Sequence, residues 1–224
     1  MSHEAYPFIP FSRERWSDEE ILKRSENYFN FMDERRSVRH FSADPVPREV
    51  MENIIKTAST APSGAHKQPW TFCLISQNEL RSELRKLAEE EETKSYNGRM
   101  SEEWLKDLAP LGTDANKPFI EIAPWIIVVM KQAFRYDEAG NKKNNYYVNE
   151  SVGLAAGFLL AAIHHAGLVA LTHTPSPMGF LTKALNRPDN ERPFLLIPVG
   201  HPASDAEVPD ISRKPLENIT VYYD

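Results

Sequence analysis

One segment constrains the fold of this chain more than any other. From Val148 to Ala166 the sequence reads VNESVGLAAGFLLAAIHHA. Its spacing predicts a long helix that is apolar nearly all round. A surface helix needs only one apolar stripe, so a helix of this kind belongs in a core or in an oligomer interface. Gly153, Ala155, Ala156 and Gly157 are small enough to let another helix approach closely.

The rest of the chain can support such a core. With 224 residues it makes one domain, or two at most. A chain of that size buries roughly 70% of the surface its unfolded form exposes. The formal net charge is −6, which argues against a general nucleic-acid binder, because displacing phosphate counterions needs a basic surface. The one cysteine, Cys73, excludes an intramolecular disulfide and points to a reducing compartment. It lies in the apolar run WTFCLIS and reads as a buried, inert thiol. No segment approaches the ~20 uninterrupted apolar residues of a membrane span, and the first residues do not resemble a signal peptide. The expectation is a soluble protein, cytoplasmic if bacterial.

Residues 1–33 read as an N-terminal arm ending in a helix over 18–33. Residues 34–224 read as the main domain. After the turn DPVP, Val50, Met51, Ile54, Ile55 and Ala58 recur at helical spacing, with Pro45 and Pro47 marking the start. Pro62-Ser63-Gly64 is a turn signal. WTFCLIS is a strand, and residues 77–97 a charged helix. Residues 98–118 lack periodicity and read as an excursion; a mobile lid is placed at about 90–118. WIIVVMK is a buried strand, 134–145 a polar loop, LVALTHT and FLLIPVG two more strands, and ITVYY a possible last one. Helices and strands mix without βαβ alternation, which predicts an α+β fold with a central mixed sheet flanked by helices.

Four constellations could carry chemistry. Arg35-Arg36-Ser37-Val38-Arg39 groups three guanidiniums and a hydroxyl, a set suited to phosphate, although basic clusters are more often solvated patches. Pro62-Ser63-Gly64-Ala65-His66 could bring backbone amides to an anionic ligand or be an ordinary turn. Thr172-His173-Thr174 at a strand end could donate to a cofactor or simply reflect the strand preference of Thr. Glu92 and Tyr96 share a helix face and, with Lys117, could clamp an amino-acid zwitterion; a solvated Glu-rich helix is the plainer alternative. His164-His165 read as packing residues, and no metal site is expected.

Taken together and in order, RRSVRHF, DPVP, PSGAHKQPWTF, WIIVVM, the small-residue helix and the basic VPDISRKPL tail resemble the nitroreductase superfamily over roughly residues 34–220. In detail, PSGAHKQPWTF, NYYVNESVGLAAGFLLAAIHHAGLV, the THTP turn and NRPDNERPFLLIPVGHP resemble the iodotyrosine deiodinase family. The resemblance implies a nitroreductase-like fold and an intertwined homodimer with FMN at the subunit interface. It implies that Arg35, Arg36, Ser37, Val38 and Arg39, then Ser63, then Thr172, His173 and Thr174, and finally Arg213 contact FMN. His173 stands where related chains often carry a third Thr. By the same resemblance Ala65, Glu92, Tyr96 and Lys117 hold the substrate, and Thr174 is the catalytic hydroxyl, donating to flavin N5. The implied reaction is reductive dehalogenation of halotyrosines, with electrons from an unidentified donor. The alternatives are a general NAD(P)H nitro or quinone reductase, which shares the FMN residues and lacks the clamp, and a flavin-bound halotyrosine-binding protein without turnover.

Overall fold

A computed structural model describes residues 6–223. The chain divides between Arg35 and Arg36 into two units. The first carries α1 (Asp18–Asp33). Ser17 caps this helix by accepting from the Glu20 amide at 3.2 Å, and Asp18, Glu19 and Glu20 complement the positive end of its dipole. No residue of α1 is buried, and Ile21, Leu22, Tyr28 and Phe29 are more than half exposed.

The second unit carries α2 (Arg48–Ser59), β1 (Trp70–Ile75), α3 (Asn78–Lys94), α4 (Glu102–Leu108), α5 (Phe119–Ile122) and β2 (Trp125–Gln132). There follow β3 (Phe134–Tyr136), β4 (Lys142–Asn144), α6 (Val148–His165), β5 (Val169–Ala170), α7 (Gly179–Ala184) and β6 (Glu191–Gly200). The main sheet has the order β1-β2-β6-β5, and every one of these strand pairs is antiparallel. The expected mixed character therefore reduces to one parallel bridge, Ser37 to Ala170, where the segment before α2 lies beside β5.

Strand β2 is buried from Ile126 to Met130 because both faces of the sheet are covered. Its side chains alternate, as strand geometry requires. Ile126, Val128 and Met130 join Leu196, Leu84, Ala88, Phe119, Ile120 and Leu181, so α3, α5 and α7 cover that face. Ile127 and Val129 join Ile197, Val199, Met51, Ile54, Val152, Leu159 and Ile163, so α2 and α6 cover the other. The long apolar helix is thus half answered by the core. On its opposite face Leu154 is 48% and Phe158 40% exposed.

Five expected elements differ. The charged helix ends at Lys94 and continues as a π-type turn over Ser95–Arg99, where Gly98 takes a φ of 142° that ordinary residues avoid. The excursion that follows contains α4. The polar loop over 134–145 closes as the β3-β4 hairpin. LVALTHT is a two-residue strand plus a bridge at His173, and residues 219–223 form no strand. Ile219, Val221, Tyr222 and Tyr223 are largely exposed; strand propensity without a neighbouring strand cannot form a ladder. Among the described residues no helix is long and apolar enough to cross a membrane.

Candidate active site

The site grows from the edge of the main sheet. The Val38 amide donates to the Ala170 carbonyl at 3.1 Å, which ties the Arg-rich segment to β5. Val38 itself is buried, so it anchors the segment, while Arg36 and Ser37 stay exposed beside it and Arg39 is half-buried. Burial lowers the pKa of the Arg39 guanidinium, and the Tyr96 phenol opposes that shift. No carboxylate lies within ion-pair distance of Arg39 among the described residues, so this guanidinium can take an anionic or electron-rich ligand group.

Two residues beyond β5 the chain runs on along β6. The His173 amide donates to the Leu196 carbonyl at 2.8 Å, and the Leu196 amide returns a bond of 3.0 Å. Exposure alternates along this stretch: Thr172 and Thr174 are exposed and His173 is buried. The two hydroxyls are therefore presented on one side and the imidazole on the other. The resemblance implies FMN contact for all three; the His173 ring packs edge-on against Phe119, with centroids 5.5 Å apart, and faces Glu92.

Glu92 and Lys117 are 25 residues apart in sequence, yet both are buried, and their charges lie 3.6 Å apart. The return path is built by the loop before α5. The Tyr96 hydroxyl donates to the Thr113 carbonyl at 3.0 Å, and Lys117 Nζ donates to Thr113 Oγ1 at 3.0 Å and to the Asp114 carbonyl. The Lys117 amide donates to Glu89 at 2.7 Å, and Arg85 braces Glu89 and Glu121 at 2.8 Å each. Lys117 Nζ also sits 5.7 Å from the centre of the Tyr96 ring. The three proposed clamp residues are thus brought together, and this bracing network carried no periodic signal in the sequence.

Burial dominates the electrostatics. It raises the Glu92 carboxyl and lowers the Lys117 ammonium, and in each case the partner's charge pulls only part of the way back. Two buried charges that attract less than they lose in hydration form a costly arrangement, of the kind found at functional sites. Burial also raises the Tyr96 phenol and, with help from Lys117 and Arg39, pushes His173 down to about 3. His173 is therefore neutral, and its approach to Glu92 is a dipole facing a charge and not an ion pair.

The PSGAH turn is a separate, strained piece. Ala65, His66 and Gln68 adopt φ values of 48°, 53° and 48°. Such conformations cost of order 1 kcal/mol or more each in non-glycine residues and cluster at ligand-binding turns. Gly64 is required there: a Cβ would meet the Tyr146 carbonyl oxygen at 2.9 Å. Its amide donates to Ser151 Oγ at 3.2 Å, so the turn is seated on the first turn of α6, and Ser63 Oγ accepts from Gln68 at 2.9 Å. Ala65 is exposed at the tip. Arg213 is exposed in a segment without helix or strand, and Arg35 closes the first unit with its amide on Met32 O. No group of His, Cys, Asp and Glu able to hold a metal occurs among the described residues. Cys73 is half-buried rather than fully buried, with its thiol pKa raised by burial.

The nitroreductase family model matches this chain over residues 32–201. An iodotyrosine deiodinase of Haliscomenobacter hydrossis is 60% identical over 216 residues, covering 96% of this chain and 97% of the relative. The human iodotyrosine deiodinase 1 is 43% identical over 221 residues, 98% of this chain and 76% of the relative. A crystal structure of oxidized iodotyrosine deiodinase bound to FMN and 3-iodo-L-tyrosine superposes with a TM-score of 0.75 at 29% identity, covering 88% of this chain and 98% of that one. The chain belongs to the nitroreductase family and, within it, to the iodotyrosine deiodinases.

Proposed function

We propose that this protein binds FMN and uses it to dehalogenate iodotyrosine reductively, as a homodimer. The observation that carries the reading is the buried Glu92–Lys117 pair with Tyr96 beside it, built next to the cationic edge at Arg39. A general flavin reductase has no use for a buried carboxylate and ammonium. An amino-acid ligand does: its ammonium matches Glu92, and its carboxylate matches Lys117 and Tyr96.

FMN fits the residues present. Arg36 and Ser37, with Thr172 and Thr174, line one sheet edge with exposed donors, and the half-buried Arg39 beside them has no carboxylate within ion-pair distance among the described residues. Ser63 and Arg213 complete this set from the turn and the tail, which a second copy of the chain supplies in the dimer. The reduced cofactor supplies the two electrons that, with one proton, replace the carbon–iodine bond by carbon–hydrogen and release iodide. The protein does the rest. Arg39 and its neighbours orient the flavin, and the Thr174 hydroxyl donates a hydrogen bond at the reacting edge, where a fixed dipole costs no reorganisation. Ala65 offers its backbone amide to the substrate phenolate. Glu92, Tyr96 and Lys117 hold the zwitterion, and closure of residues 90–118 over it excludes water.

The test is direct. The purified yellow protein, reduced with dithionite, should release stoichiometric iodide from 3-iodotyrosine, and Thr174→Ala should slow release while FMN stays bound. Protein that takes up no FMN, or holds reduced FMN and leaves iodotyrosine intact, overturns the reading.

A further inference from the structure

We propose that His173 is a positioning residue for the substrate clamp: it orients one oxygen of Glu92 and leaves the other for the ligand ammonium. The inference rests on the zwitterion clamp described above and adds a residue to it.

The Glu92 carboxylate is shared between two buried neighbours, one per oxygen. Oε2 lies 3.6 Å from Lys117 Nζ and Oε1 lies 3.8 Å from His173 Nε2. Nε2 is fully buried and has no hydrogen-bond partner. It stands about 0.8 Å beyond the ~3.0 Å of an ordinary N–H···O bond, so a small rotation of the flexible glutamate completes the contact. The imidazole cannot move to meet it. Its backbone is locked by two bonds to Leu196, which is wholly buried, and its ring is wedged against Phe119 at the start of α5.

Charge decides what this contact does. A cation at that place would satisfy Glu92 by itself and leave nothing for a ligand ammonium. Burial and the nearby Lys117 and Arg39 keep His173 neutral. A neutral N–H orients the carboxylate without cancelling its charge. When an ammonium enters, Lys117 turns to the ligand carboxylate and Glu92 loses its cationic neighbour. His173 then keeps Oε1 in place while Oε2 takes the new partner. The position also links two functions. The run Thr172-His173-Thr174 presents hydroxyls on one side and this imidazole on the other, so one strand serves the flavin edge and the clamp.

The experiment titrates the flavin fluorescence of FMN-loaded protein with 3-iodotyrosine and with 2-iodophenol. His173→Leu and His173→Thr should weaken iodotyrosine binding roughly tenfold, about 1.4 kcal/mol, and leave iodophenol binding unchanged. His173→Gln, which keeps a donor of similar reach, should recover most of the loss. In a Glu92→Gln background His173→Leu should add nothing, the signature of residues that act through one another. If the Leu variant does not retain FMN, the Thr variant carries the test. Parallel weakening of both ligands means a merely structural role and overturns the proposal, as does unchanged iodotyrosine affinity in both variants. If the wild type itself binds the two ligands equally, the clamp reading fails first and takes this inference with it.

Discussion

Two regions of the molecule invert the usual rule of burial. Helix α6 is the most apolar segment, yet Leu154 and Phe158 on one face are 48% and 40% exposed. The segment from α3 to α5 is the most charged, yet Glu92 and Lys117 are only 7% and 3% exposed. Apolar surface left in water costs about 25 cal/mol per Å², and charge taken out of water costs more unless it is fully paired. Neither expense is fully compensated among the described residues. In the proposed reading each region is half of a contact whose other half comes from outside: a second protomer for α6, a zwitterion for the clamp.

The largest effect should come from spoiling the first half. Leu154→Glu with Phe158→Glu places two charges on the open face of α6, and sedimentation should then show a monomer that has lost its FMN. A doubly substituted protein that remains a yellow dimer would show that this face is not the interface. The clamp should respond next. Glu92→Gln should weaken iodotyrosine by about 2 kcal/mol, roughly thirtyfold, with FMN retention kept. Equal binding of iodotyrosine by mutant and wild type removes Glu92 from the clamp.

The two halves should also differ in stability. Because burial outweighs attraction for both Glu92 and Lys117, the double replacement Glu92→Gln with Lys117→Met should leave the substrate-free Tm unchanged or higher. A clear drop would mean that the pair stabilises the fold. Lys117→Met alone, which strands a buried carboxylate, should destabilise.

Measured over a single pH unit, the smallest effect is on the acid side. The ordinary histidine pKa is 6.5 and His173 is pushed down to about 3. The unfolded chain takes up that proton first, so stability falls as pH drops from 6.5 towards 3. Glu92, Lys117 and Arg39 face the ring and add their own terms, so the comparison is made between wild type and His173→Thr. Urea midpoints at several pH values should fall more steeply for wild type, by about 1 kcal/mol per pH unit. Parallel curves would mean that His173 titrates normally.

Much of the fold was legible from local pattern. The helix over 18–33 and the strand from Trp70 have the bounds their capping residue and apolar run suggest, because those signals act within a few residues. The sequence readings of Arg39, Thr172, Thr174, Glu92, Tyr96 and Lys117 rested on residue type and on resemblance to a family. Spacing alone could not join Glu92 to Lys117, because the path between them is a bracing network of Arg85, Glu89 and the Thr113 loop with no period to read.

By itself the sequence determined which segments must be covered. α6 is apolar all round, β2 is apolar on both faces, and α1 has only a weak stripe. Covering them requires a helix-flanked sheet whatever the details. Only the tertiary structure decided which way individual side chains turn. His173 lies between two threonines whose exposure it does not share, because a strand sends neighbours to opposite sides. The tail over 219–223 has the composition of a strand and forms none, because a ladder needs a partner and no described strand lies beside it. Burial and pairing are properties of what lies across the fold from a residue, and a one-dimensional pattern reports only what lies beside it.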